Sequence, residues 1–198
     1  QNKTFPNLES GILIENAPRN FIGGGYPSEP EEGKGNIISG NSRHGVHIKG
    51  QDSRSNVLYS NFIGTDLDGQ EAIPNERSGV FIDDAIENII GGNCNGCGNL
   101  ISGNHEYGVL IENGARLNLV QGNTIGLWDI KDEWFIDPFG NNKDGVFIND
   151  SNNNTIGPGN VISHNNGCGI FIEGSESKQN KVIGNIIGLD PKGETPLG

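Results

Sequence analysis

One four-residue phrase, Gly-Val-x-Ile or Gly-Ile-x-Ile, recurs six times. It stands at Gly11–Ile14, Gly45–Ile48, Gly79–Ile82, Gly108–Ile111, Gly145–Ile148 and Gly169–Ile172. Its starts are 34, 34, 29, 37 and 24 residues apart. A fixed phrase at uneven spacing describes one structural rung carrying loops of variable length, the signature of a solenoid.

Two further phrases follow each copy. The first is Asn20-Phe21-Ile22, Asn56-Val57-Leu58, Asn88-Ile89-Ile90, Asn118-Leu119-Val120, Asn154-Thr155-Ile156 and Asn180-Lys181-Val182. The second is Asn36-Ile37-Ile38, Asn61-Phe62-Ile63, Asn99-Leu100-Ile101, Asn123-Thr124-Ile125, Asn160-Val161-Ile162 and Asn185-Ile186-Ile187. Three short strands per rung, six times over with glycine between them, leave no room for helices. Strand side chains alternate. The Val and Ile of the first strand therefore face one way and x the other, while Asn and Ile share a side in the other two. Stacking at about 4.8 Å per rung gives a rod of roughly 29 Å. Inward Ile, Val and Leu then form continuous columns. Two Asn columns are filled in all six rungs, where stacked amides can bond along the stack.

Insertions alternate between two corners. Rungs one, three and five expand between strands two and three; rungs two, four and six expand after strand three. The pattern predicts an all-β chain, a right-handed single-stranded parallel β-helix of about six rungs, forming a single domain over residues 1–198. That domain is expected to be part of a longer repeat array; its open rungs either continue in the native chain or stack end to end with another copy.

Composition narrows the partners. Net charge is −12, with pI near 4.6 and no basic run, which argues against nucleic acid. It also disfavours polyanionic sugars unless a divalent cation bridges. No stretch approaches 18 apolar residues, so no membrane-spanning helix is expected. The sequence starts at Gln1 without Met and with no recognisable signal peptide, so a processed or excised segment is expected.

The phrases Asn88–Gly92, Gly98–Asn104, Gly108–Ile111 and Ser60–Asp66 resemble repeats of the pectate-lyase-like parallel β-helix superfamily. More narrowly, they resemble long bacterial surface and secreted β-helix proteins. The resemblance covers residues 11 to 190. It implies the fold, and a secreted or cell-surface bacterial location. It leaves the reaction open, because this fold hosts lyases, hydrolases, epimerases, adhesins and stalks.

Function can be written at x, which reads Leu13, His47, Phe81, Leu110, Phe147 and Phe171. Phe81, Phe147 and Phe171 are candidate ligand contacts in an apolar stripe. In the resembling enzymes, this face forms the sugar cleft. The segment Leu127–Asn142 departs from the repeat and adds Trp128 and Trp134 as candidate contacts. Catalytic candidates are His47, Asp83 and Glu112. Asp83 and Glu112 stand at equivalent positions one rung apart, near the 5 Å separation of retaining glycosidases. His47 sits with Arg43 and His44 in a basic cluster that lacks an obvious acidic partner set.

No cofactor is required, although Ca²⁺ is a candidate at Asp66 and Asp68 within Thr65–Gly69; an Asp-initiated turn explains the same residues. Cys94 and Cys97 suit a short loop disulfide in an oxidising compartment, and Cys168 is expected as a buried free thiol. Two functions follow. The first is a non-enzymatic extracellular or cell-surface scaffold or adhesin-like module, contacting a polysaccharide or a protein surface. The alternative is a polysaccharide lyase or glycoside hydrolase with its cleft along the first-strand face.

Overall fold

The computed structural model describes residues 6–24, 35–127 and 139–197. Every rung contributes three parallel strands. Rung one holds β1 (Ile12–Glu15), β2 (Phe21–Gly23) and β3 (Ile37–Ile38); rung two holds β4 (Val46–Lys49), β5 (Val57–Tyr59) and β6 (Phe62–Ile63). Rung three holds β7 (Val80–Asp83), β8 (Ile89–Ile90) and β9 (Leu100–Ile101); rung four holds β10 (Val109–Glu112), β11 (Leu119–Val120) and β12 (Thr124–Ile125). Rung five holds β13 (Val146–Asn149), β14 (Thr155–Ile156) and β15 (Val161–Ile162); rung six holds β16 (Ile170–Glu173), β17 (Lys181–Val182) and β18 (Ile186–Ile187). Equivalent strands stack into three six-stranded sheets, and among the described residues there is no helix. The crossovers are right-handed, as parallel connections are. The second and third strands are shorter than the phrases suggest, mostly two residues each.

Register follows the phrases. Val46 pairs with Val80, His47 with Phe81 and Ile48 with Ile82, and the same in-phase pairing runs through all six rungs. The core is the set of inward columns: Ile48, Ile82, Ile111 and Ile148 of the first sheet have no exposed surface, nor do Ile63, Ile101, Ile125 and Ile162 of the third. Each such side chain contributes about 2 to 3 kcal/mol of burial.

The Gly of the phrase is there for space. A Cβ on Gly79 would lie 2.6 Å from Ile101 Cγ2 and 2.9 Å from the Gly108 carbonyl oxygen. The corners depend on left-handed backbone instead. The residue preceding the ladder Asn of strand two has φ between 56° and 60° in all six rungs: Arg19, Ser55, Glu87, Leu117, Asn153 and Gln179.

Asparagine satisfies the corners. Asn118 Oδ1 accepts from Asn88 N and Nδ2, while Asn118 Nδ2 donates to Asn154 Oδ1 and to the Ala85 carbonyl. The ladder of strand three works identically through Asn61, Asn99 and Asn123. A third ladder, not read from the phrases, runs Asn7, Asn41, Asn75, Asn104, Asn141 and Asn165 at the corner before the first strand.

Cys94 and Cys97 form the expected disulfide. Cys168 is free but exposed, which corrects its expected burial. It lies just before β16, an edge strand among the described residues, where its backbone N–H donates to Asp144 Oδ1 at 2.6 Å.

Candidate functional site

The outer face of the first sheet gathers the chemistry. Alternation along four-residue strands turns Leu13, His47, Phe81, Leu110, Phe147 and Phe171 outward in one column. The corner before each strand adds a second column, which includes His44, Ser78, Tyr107 and Asp144. Side chains of the second column fold over the first. The His44 ring lies 4.9 Å from Phe81, and Tyr107 stacks on Phe147 at 4.9 Å. The expected apolar stripe is therefore partly covered: Leu110 and Phe147 are buried, Phe81 is half-buried, and Phe171 (40%) and Leu13 (54%) stay exposed at the two ends.

Two aromatic groups result. In one, His47 stacks on Phe81 at 4.7 Å and 15°. In the other, Tyr107, Phe147 and Phe171 form a continuous stack, with Phe147 and Phe171 5.2 Å apart. Lys143 Nζ caps it 4.7 Å from the Tyr107 ring centre and pairs with Glu106 at 3.3 Å.

His47 has an acidic partner after all. Its Nε2 is 3.1 Å from Asp83 Oδ2, one rung further on. Sequence proximity hid the pair because it joins the x position of one rung to the position after Ile in the next. Asp83 Oδ1 accepts from Asn113 Nδ2 at 2.7 Å. Glu112 stands beside Asp83 in register, and its Oε1 accepts from Asn149 Nδ2 at 3.4 Å. Lys49 and Glu15 pair at 3.1 Å in the same column. The candidates His47, Asp83 and Glu112 are thus neighbours, with only His47 and Asp83 directly bonded.

Burial lowers the pKa of His47 against the raising effect of Asp83. His44 is lowered further, to about 4, by burial first and then by His47, Arg77 and Arg43. Its Nδ1 accepts from Ser78 N at 3.3 Å. Both imidazoles are neutral at pH 7.

Trp128 and Trp134 lie outside the described residues. Phe139, at the edge of that segment, has its carbonyl bonded by Ser102 Oγ at 2.5 Å. Asp66 Oδ1 accepts from the backbone N–H of Gln70 (2.7 Å) and Glu71 (3.1 Å), closing a turn with Thr65 bridged to Ala72. Asp68 is exposed on that turn. Asp190 repeats the arrangement, accepting from Glu194 N at 2.8 Å. Among the described residues, no three His, Cys, Asp or Glu side chains form a metal-holding group. No helix among them is long and apolar enough to cross a membrane.

Three parallel sheets, in-register Ile columns and Asn-laddered corners define a parallel β-helix repeat protein. The family described as periplasmic copper-binding protein (NosD) matches residues 32–188, and the chain belongs to that family. No curated protein matches it. Among solved structures, the A-module of mannuronan C-5 epimerase AlgE4 from Azotobacter vinelandii is similar at 17% identity and a TM-score of 0.44. The match covers 92% of this chain and 52% of that one, so the chain spans about half of that module.

Proposed function

We propose that the protein is an exported β-helix scaffold whose first sheet presents a contact face to a polysaccharide. The observation that carries this is the Tyr107–Phe147–Phe171 stack, which climbs the rod axis and ends in an exposed ring. Aromatic faces pack against the C–H faces of sugars, and an exposed apolar patch marks an interaction site. One rung advances about 4.8 Å, close to the length of a pyranose residue. A linear glycan lying along the axis therefore meets similar surface at each step. An exported location is supported by the Cys94–Cys97 disulfide, which persists in oxidising compartments, and by the family's periplasmic description.

The family description also names copper. The soft donors among the described residues are one disulfide and one lone exposed thiol, and the chain has no Met. They lack the paired thiolates and thioethers of a soft copper site, and among the described residues no three His, Cys, Asp or Glu side chains form a metal-holding group. No part of the proposed function runs through a metal.

Retention on insoluble polysaccharides tests the proposal. Phe171→Ala and Tyr107→Ala are expected to weaken retention about tenfold, in line with the loss of an exposed aromatic anchor. Unchanged retention in both variants would overturn it. A second reading, a carbohydrate-active enzyme, is favoured by the His47–Asp83 pair. New reducing ends or unsaturated products that vanish in His47→Ala and Asp83→Asn would establish it in place of the scaffold.

A further inference from the structure

The bond between His47 Nε2 and Asp83 Oδ2 fixes where the imidazole proton sits. An ionised carboxylate only accepts, so Nε2 carries the hydrogen. In the neutral ring, the lone pair is then on Nδ1. Among the described residues, no group bonds that nitrogen. The orientation is secured twice. Asn113 Nδ2 holds the far oxygen of Asp83 at 2.7 Å, and the ring lies flat on Phe81. The pair is neither fully exposed nor sealed: the His47 and Asp83 side chains keep 18% and 17% of their surface.

His44 supplies the complementary group. Its Nδ1 accepts from Ser78 N, so its neutral ring carries hydrogen on Nε2. The two ring centres are 5.5 Å apart. One imidazole therefore offers an acceptor and its neighbour a donor. A hydroxyl group satisfies both. An ammonium group would satisfy only the acceptor, and Arg43 and Arg77 act on this site as repelling charges. A polyanion would face a chain of net charge −12 and the carboxylates of Glu15 and Asp83. Leu13, exposed one rung below, adds an apolar surface for the C–H face of a sugar ring.

We propose that His47, held in place by Asp83 and Asn113, is a hydroxyl-binding subsite for an uncharged glycan on the outer face of the first sheet. The proposal rests on the contact-face reading and adds to it the class of ligand and the group that recognises it. Asp83 and Asn113 are positioning residues, since they act only through His47.

Calorimetric titration with cellohexaose and mannohexaose, with polygalacturonate as the anionic comparison, tests it. The wild-type protein is expected to bind one of the uncharged hexasaccharides more tightly than polygalacturonate. His47→Phe keeps a ring on Phe81 but removes the acceptor, and should weaken binding about threefold to tenfold, the worth of one hydrogen bond. Wild-type affinity should fall as acidification puts a proton on His47 Nδ1, below the ordinary imidazole range because burial lowers its pKa; His47→Phe should lose that pH dependence. Asn113→Ala should weaken binding less than His47→Phe and keep the dependence. If His47→Phe binds like wild type at every pH while Phe171→Ala loses affinity, the subsite is wrong and the contact face stands. If wild type binds neither hexasaccharide, or prefers polygalacturonate, the proposal is overturned.

Discussion

A buried Asn in this molecule does the work that a helix cap does elsewhere. Asn118 has almost no exposed surface and engages four protein groups through one amide. Asn118→Ala leaves the buried Asn88 N–H without a partner, while the Ala85 carbonyl keeps its bond from Arg116 N–H. A loss of about 1 to 3 kcal/mol is expected from urea unfolding, the cost of one buried unsatisfied group. Leu117 next to it poses the opposite case. It holds φ 59° with its side chain 52% exposed, a conformation that Leu adopts at a cost and Asn tolerates. Leu117→Asn should raise stability by about 0.5 to 1 kcal/mol in the same assay; a decrease would show that the Leu117 side chain makes a contact worth more than the backbone strain.

His44 makes stability depend on pH. Its folded pKa of about 4 lies below the ordinary 6.5. Between those values the unfolded chain binds a proton that the folded chain excludes, so stability falls as pH drops from 6.5 toward 4 and levels off below. The shift corresponds to about 2 to 3 kcal/mol once partial solvent access is allowed for. His47, also lowered, acts in the same direction. Urea midpoints at pH 7.5 and 4.5 should differ strongly in wild type and much less in His44→Phe. Equal differences would contradict the assignment.

At the scale of the strand, the phrase Gly-Val-x-Ile carried nearly all the local information. Val and Ile mark the inward face, Gly marks a close approach, and the spacing of copies sets the register. Gly108 and Gly169 separate these roles. A Cβ on Gly108 would meet Ile125 Cγ2 at 2.6 Å and the Gly145 carbonyl oxygen of the next rung at 2.6 Å. On Gly169 it would meet Ile187 Cγ2 at 2.6 Å and no backbone closer than 3.9 Å. Gly108→Ala is therefore expected to cost about 1 to 3 kcal/mol or more, and Gly169→Ala clearly less, by thermal unfolding. What the phrases did not disclose has a common cause. The third Asn ladder passes through Asn75 and Asn141, which follow loops of unrelated length and sequence. The left-handed column of strand two is built from Arg, Ser, Glu, Leu, Asn and Gln, so residue type gives no sign of it. The His47–Asp83 bond crosses diagonally between rungs. Each depends on which residues stack, and stacking is a property of the closed coil rather than of any one rung.

The coil as a whole is unequal at its two ends. In rung one the inward Ile14, Ile22 and Ile38 are 7%, 9% and 5% exposed; in rung six the equivalent Ile172, Val182 and Ile187 are 38%, 42% and 45% exposed. Strands β16, β17 and β18 each have a neighbour on one side only. The Asn ladders end there with a direction. Within the stack, the backbone N–H of one ladder Asn donates to the Oδ1 of the next, as Asn118 does to Asn154 and Asn154 to Asn180. Among the described residues, Asn180 and Asn185 have no following Oδ1 to receive theirs. An apolar triangle ringed by unpaired strand edges is a template for another rung of the same kind, and unpaired edges recruit strands from neighbouring molecules. A chain that stops at this rung is expected to associate as its concentration rises, through this end. Light scattering across a concentration series measures it. Val182→Lys with Ile187→Glu, at the open end and away from the glycan face, should shift the protein toward monomer while leaving hexasaccharide binding unchanged. A wild-type protein that stays strictly monomeric throughout the series would show that the open rung does not recruit a second copy.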